Sequence, residues 1–400
     1  MPEAVIVATG RTPIGRAMKG SLVSCRPDDL TALVVKEVLA KVPQLDPQQV
    51  EDLILGNGQP AGEAGYNLAR VAALLAGVDV PGVTVNRYCS SSLQTIRMAA
   101  HAIKAGEGDV FVAAGVETVS RYMHGAADIG PHNPLFAEAE ARTAKRSAAF
   151  TEPWTPLGGL GDVYIAMGQT AENVAEAENV TREEMDEFAA LSQQRAVTSQ
   201  GDGFFDREII PVTLEDGTVV TKDDGPRPGT TVEVLANLKP AFREGGRVTA
   251  GNACPLNDGA AAVVVMSDTK AEELGITPLA RIVSSGLSAL DPEIMGLGPI
   301  ESCRQAMKRA GLTIEDIDLV EINEAFAAQI VPSAKHLDIP WEKLNVHGGA
   351  IALGHPFGMT GARIMTTLIN GLQTTGGRYG MESMCVGGGQ GMAMIVERLS

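Results

Sequence analysis

Apolar residues along this chain alternate between two spacings. The short runs at 4–8, 53–55, 83–86 and 110–114 predict strands. Between them, residues 28–40, 67–76 and 93–105 carry apolar positions three or four apart, the spacing of a helix with one buried face. Such alternation predicts a mostly parallel sheet covered by helices. From about 121 to 246 the texture changes, and Pro, Gly and charged residues become frequent. Two acidic helical patterns, 167–178 and 181–198, stand there among irregular segments, and Asp216-Gly217 has the composition of a hairpin turn. Alternation resumes at 260–265, 280–284, 299–309, 319–322, 325–335 and 363–372. The chain therefore divides into a first α/β half at 1–120, completed by about 247–273, an inserted loop domain at 121–246, and a second half at 274–400.

The two halves carry a faint repeat. Val38-Leu39-Ala40-Lys41, continuing to Leu53-Ile54-Leu55-Gly56-Asn57, resembles Ala306-Met307-Lys308, continuing to Val320-Glu321-Ile322-Asn323, with a one-residue slip. Both read helix, short turn, acidic pair, apolar strand, Asn. In the same scheme the loop of Cys89 matches the loop of His355, each opening a helical pattern. Two stacked copies of one α/β unit would bring these loops together near a pseudo-twofold axis. Ligands of open α/β sheets bind beyond the carboxyl ends of strands, where such loops lie.

Those loops hold the reactive residues. Gly354-His355-Pro356-Phe357-Gly358 and Cys385-Val386-Gly387-Gly388-Gly389-Gln390-Gly391 set a histidine and a cysteine among glycines, which allows backbone to lie close against a ligand. In Val85-Asn86-Arg87-Tyr88-Cys89-Ser90-Ser91-Ser92-Leu93 a cysteine stands where a strand pattern gives way to a helix, and N–H groups at a helix start favour a thiolate. Two thiols and one imidazole can supply nucleophile, base and acid for chemistry on an acyl group. Cys25 and Cys303 read as core residues, and His101, His124, His132 and His336, which lack metal spacing, as surface or loop residues.

Composition narrows the field. The 44% hydrophobic and 20% charged residues are those of a soluble globular protein. No apolar run approaches the roughly 20 residues of a membrane span. The start, Met1-Pro2-Glu3-Ala4-Val5-Ile6-Val7-Ala8, reads as a short strand and not as a signal peptide. A net charge of −17 argues against nucleic acid. Five cysteines with no close pair argue against a disulfide framework or zinc ribbon, so a reducing compartment, the cytoplasm, is expected.

Eight segments, in order and at compatible spacing, carry a resemblance over almost the whole chain. They are Arg11-Thr12-Pro13-Ile14-Gly15, Asn86-Arg87-Tyr88-Cys89-Ser90-Ser91, Gly115-Val116-Glu117-Thr118-Val119-Ser120 and Met167-Gly168-Gln169-Thr170-Ala171-Glu172. Then come Val248-Thr249-Ala250-Gly251-Asn252-Ala253 with Asn257-Asp258-Gly259-Ala260-Ala261, and Asn323-Glu324-Ala325-Phe326. Gly348-Gly349-Ala350-Ile351-Ala352-Leu353-Gly354-His355-Pro356 and the segment from Cys385 to Gly391 complete the set. The chain resembles the thiolase family, acetyl-CoA acetyltransferases and 3-ketoacyl-CoA thiolases. The resemblance implies a five-layer αβαβα fold of two similar halves with an inserted loop domain, assembled as homodimers or homotetramers.

It also implies roles. Cys89 is the nucleophile that carries the acyl group, His355 activates it and lines an oxyanion site, and Cys385 is the acid/base at the α-carbon. Asn323, which could equally cap a helix, would hold a water that joins His355 in binding a thioester oxygen. The N–H groups of Cys89 and Gly387 would form a second oxyanion site. Coenzyme A is a co-substrate, with no permanent cofactor and no metal. Arg227, in a Pro- and Gly-rich loop, would meet its adenine end, Cys254 lies toward the pantetheine arm, and Met167, Ala325 and Phe326 would form apolar walls.

Departures from short-chain members shade the substrate. Ser92 stands where Gly is frequent, His347 where Asn is frequent, Ala166 for His, and Cys254-Pro255 for Ser-Gly. They lean toward a degradative, β-oxidation type of 3-ketoacyl-CoA thiolase, with chain length, direction and a multienzyme partner left open. Two other readings use the same fold. A decarboxylating ketosynthase pairs Cys with two histidines or His and Asn, which Cys385 disfavours. A non-catalytic CoA-binding protein is expected to lose Cys89, His355 or Cys385, all present here.

Overall fold

The computed structural model describes residues 2–148, 154–156 and 158–400; Met1 of the expected N-terminal segment, and residues 149–153 and 157 of the expected insertion, lie outside these. Among the described residues the main sheet contains β1 (Ala4–Arg11), β2 (Asp52–Gly56), β3 (Gly82–Val85), β4 (Val110–Thr118), β5 (Asn257–Ser267), β6 (Ala280–Ala289), β7 (Leu319–Ile322), β8 (Tyr379–Val386) and β9 (Gln390–Arg398), with Gly15–Arg16 beside β5. The principal helices are α1 (Pro27–Ala40), α2 (Leu68–Leu75), α3 (Ser91–Ala105), α4 (Met167–Ala177), α5 (Arg182–Gly201), α6 (Gly298–Ala310), α7 (Ala327–His336) and α8 (Thr360–Thr375).

The repeat is visible in the ladder. The first half runs β3-β2-β4-β5-β1 and the second β7-β8-β9-β6, and they meet only where Val5 and Ile6 pair with Arg281 and Ala280. In both halves the strand ending before an Asn, β2 or β7, lies parallel to the next, β4 or β8; β2 is also parallel to the edge strand β3, and the remaining neighbours run antiparallel. The sheet is thus mixed, not mostly parallel. The sequence reading saw the strands joined by helices and missed the hairpin β8–β9, whose turn is Gly387-Gly388-Gly389.

Burial follows the layering. Every residue of β5 is buried, and its side chains alternate: Ala261, Val263 and Val265 enter one core, Ala260, Ala262, Val264 and Met266 another. A strand covered on both faces reads as one apolar run for this reason. The central core lies around α3 and α8, which pack on each other, and α8 touches strands of both halves. Helices α1 and α2 cover the first half outside, and α6 and α7 the second. These are the five layers. In the insertion, α5 starts at a reciprocal cap between Thr181 and Glu184. The Asp216-Gly217 turn joins Val212–Thr213 to Val219–Val220, with Gly217 at φ +84°. No helix among the described residues is long and apolar enough to cross a membrane.

Candidate active site

Cys89 is delivered by a tight turn. After β3, Asn86 accepts the Tyr88 N–H at 2.7 Å and donates to the Gly58 carbonyl at 3.1 Å, and the turn Tyr88–Ser90 runs straight into α3. The strain falls on Tyr88, at φ +43°, and not on Ser92. Ser92 is helical, and its hydroxyl accepts the Ala362 N–H at 2.9 Å, tying α3 to α8. The N–H groups of Gly387 and of Cys89 itself donate toward the buried sulfur and favour its thiolate. Burial outweighs them and pushes the thiol up to about 11, with the Glu117 charge adding to the rise. The Cys89 thiol is therefore neutral at rest, contrary to the expectation from its helix-start position alone.

Cys385, the penultimate residue of β8, is fully buried, and burial followed by the nearby Cys89 and Cys254 holds its thiol well above the usual range. Cys254 is raised for the same reasons, burial first and then Cys89. Three thiols from distant parts of the sequence thus share one site. The Cys254 N–H donates to the Ala325 carbonyl at 3.0 Å, and Ala253 bridges Phe326, so Ala325 and Phe326 form the wall beside it. A Cβ on Gly387 would lie 3.6 Å from the Tyr88 ring and 3.9 Å from the Met167 sulfur, which places both side chains beside the Gly387 turn.

His355 is held from three sides. Its N–H donates to Asn257 Oδ1 at 2.9 Å, and Gly354 takes φ +121°, where a Cβ would lie 2.6 Å from the same amide. Thr360 spends its hydroxyl proton on the Pro356 carbonyl at 2.8 Å, so at 2.6 Å it accepts from His355 Nδ1–H. The bare nitrogen is then Nε2, which faces Asn323 Nδ2 at 3.3 Å. Burial, followed by the Arg363 charge, lowers the imidazole to about 3, so it is neutral at working pH. Asn323 does not cap a helix, since α7 starts after Phe326, and its buried Oδ1 has no partner among the described residues.

Arg227 stands apart. It lines a groove of about 560 Å³ between α5 and residues 227–233, and its N–H donates to Gln193 Oε1 at 2.8 Å. The same loop touches the turn before His355, for a Cβ on Gly225 would lie 2.1 Å from the Ala352 carbonyl. Among the other cysteines, Cys303 is buried while Cys25 is only partly so. His347 is also partly buried, stacked on Phe204 at 3.5 Å. Sequence reasoning missed Asn257, Thr360 and Glu117 as shapers of this site; the signal available was their place within or next to the family segments.

The His355 environment makes a stability prediction. Its folded value lies below the unfolded one, so its contribution is present above about pH 6.5 and is lost as pH falls toward 3. Between pH 6.5 and 5, the wild type should lose about 2 kcal/mol more than His355→Gln in urea unfolding at fixed protein concentration. Equal losses would show that the imidazole is not buried neutral.

The family description "Thiolase, N-terminal domain" matches residues 4–269 and "Thiolase, C-terminal domain" residues 276–398. The 3-oxoadipyl-CoA/3-oxo-5,6-dehydrosuberyl-CoA thiolase of Escherichia coli (strain K12) is 44% identical, with 100% of both chains covered. A 3-ketoacyl-CoA thiolase of Bacillus subtilis (strain 168) is 42% identical over 99% of this chain and 100% of its own. The dimeric peroxisomal thiolase of Saccharomyces cerevisiae superposes with TM-score 0.89 at 35% identity, covering 99% of this chain and 97% of that one. The chain belongs to the thiolase family. Its reaction is thiolytic cleavage of a 3-ketoacyl-CoA, or the reverse condensation, with CoA as a substrate and no permanent cofactor.

Proposed function

We propose that this thiolase is a degradative 3-ketoacyl-CoA thiolase, an acetyl-CoA C-acyltransferase, that carries its acyl group on Cys89. The observation that supports it most is the Gly387 N–H aimed at the Cys89 sulfur, two residues beyond the buried Cys385. Nucleophile and second thiol thus meet across one turn.

Cys89 attacks the 3-keto carbon while its proton passes to His355 Nε2. The N–H groups of Cys89 and Gly387 stabilise the oxyanion, in general the largest catalytic contribution. The carbon–carbon bond breaks, its electron pair forms the acetyl-CoA enolate, and Cys385 protonates the α-carbon. Protonated Nε2 and a water held by Asn323 bind the thioester oxygen during this step. Free CoA then gives its thiol proton to the Cys385 thiolate and attacks acyl-Cys89. Release of the shortened acyl-CoA returns the proton from His355 to Cys89. Ping-pong kinetics follow.

Arg227 pairs with no carboxylate among the described residues and fits the phosphate-bearing nucleotide of CoA at the groove. Met167, Cys254, Ala325 and Phe326 line the pantetheine and acyl path. The dimeric yeast neighbour, and the edge strand β3 with one flank unpaired, support a homodimer or a dimer of dimers. Five free cysteines support a reducing compartment, the cytoplasm.

Substrates longer than four carbons are expected. Ala166 and Cys254 remove polar groups from the pocket, and the names of the two bacterial relatives point the same way. Each added methylene contributes up to ~0.8 kcal/mol if fully buried, roughly a fourfold gain in kcat/KM. Steady-state assays should find kcat/KM held or rising from acetoacetyl-CoA to six- and eight-carbon 3-ketoacyl-CoA. A steep fall beyond four carbons would return the chain to the acetyl-transferring class.

A further inference from the structure

The pseudo-twofold relation places a carboxylate where the other half has its catalytic thiol. Gly56, just before Asn57, pairs with Gly115, and Ile322, just before Asn323, pairs with Ser383. Two residues further along the partner strands stand Glu117 in the first half and Cys385 in the second. Glu117 is thus the counterpart of Cys385, as Asn57 is of Asn323.

Glu117 is fully buried and surrounded by donors. Its Oε2 accepts the Gly58 N–H at 2.8 Å and the Gly358 N–H at 2.9 Å, and its Oε1 accepts Asn57 Nδ2 at 3.2 Å and the Tyr122 hydroxyl at 3.0 Å. Gly358 belongs to the loop of His355, whereas Gly58 receives the amide of Asn86, three residues before Cys89. One carboxylate therefore bridges the loop of the base to the loop of the nucleophile. The contact has no slack, because a Cβ on Gly358 would lie 2.3 Å from the Val116 carbonyl and one on Gly58 2.9 Å from Glu117 Oε2.

The geometry points to Glu117 as a positioning residue for thiolysis, which sets the His355 loop against the Cys89 loop. Its buried charge also opposes the Cys89 thiolate. The inference rests on the assignment of Cys89 and His355 as nucleophile and base. No Lys, Arg or His is among the hydrogen-bond partners of Glu117 in the described residues. The titratable groups facing it are Tyr122 and Cys89, with Asp258 and Asp128 beyond Tyr122. Burial raises Glu117 to about 7, so its charge is set within the working pH range.

Two variants separate the two effects. Glu117→Gln keeps the size but removes the charge and sets an amide N–H₂ against donors; Glu117→Asp keeps the charge but cannot reach both loops. Both should lower kcat by roughly tenfold to hundredfold through misplacement of the reacting groups. Only Glu117→Gln should also shift the pH profile of Cys89 alkylation by iodoacetamide to lower pH, read by mass spectrometry of the Cys89 peptide in folded protein. Because unfolding would also slow turnover and free the thiol from burial, both readouts are taken only on variants whose circular-dichroism spectrum and melting curve match the wild type. Tyr122→Phe, which removes one donor and keeps the carboxylate, should lower kcat by less and leave the alkylation profile in place, and it tests the positioning effect if the Gln variant fails to fold. Wild-type kcat in the folded variants, or an unmoved alkylation profile in Glu117→Gln, would overturn the inference. Wild-type label on a thiol other than Cys89 would instead overturn the underlying assignment.

Discussion

Cys89→Ser should lower kcat for thiolysis by roughly four orders of magnitude or more and leave the fold intact. The size of the effect follows from the surroundings of the sulfur. The imidazole proposed as its base, His355, is held near 3 by burial and by Arg363, which makes it a weak base. Such a base can take a proton from a thiol whose sulfur is itself a strong nucleophile, but serine has a far less acidic hydroxyl and a poorer nucleophile in the same position. The fold should survive because the exchange changes little volume, and the turn is fixed by Asn86 and by the Ser91 hydroxyl on the Tyr88 carbonyl at 2.7 Å. Steady-state kinetics beside circular-dichroism melting check both parts. Activity within tenfold of wild type would mean that another residue carries the acyl group.

Cys385→Ala should separate the two half-reactions. Cys89 and its donors remain, so a simple acyl-CoA still acylates the enzyme. Exchange of the acetyl-CoA methyl protons with solvent should fall by about 10² to 10⁴, the range of a positioned acid/base. The proposed mechanism assigns no other group with a mobile proton to the α-carbon: His355 faces Asn323 and Thr360, and Cys254 is proposed to line the pantetheine path. Deuterium incorporation followed by NMR is the measurement. Exchange at the wild-type rate would remove Cys385 from the mechanism.

Much of the architecture was legible because its signals are local. The run from Ala260 to Val265 and the helical spacing around α3 and α8 each report burial at their own positions. The repeat ending at Asn57 and Asn323 located corresponding loops before any contact was known. Strand direction was less legible: β8 and β9 follow each other around three glycines and read as one glycine-rich loop, although they form a hairpin. Protonation was the least legible. A cysteine at a helix start reads as a thiolate, but the depth of the Cys89 sulfur beside Cys385 and Cys254 depends on segments some 165 to 300 residues away. The roles of Thr360 and Asn257 are similar, for each acts through a single hydrogen bond to His355 that no spacing rule encodes.

Mass spectrometry of wild-type enzyme mixed with a 3-ketoacyl-CoA in the absence of free CoA is the most direct test of the central claim. One acyl group should be found on the peptide containing Cys89, and it should disappear when CoA is added. An adduct on Cys385 or Cys254 would contradict the account.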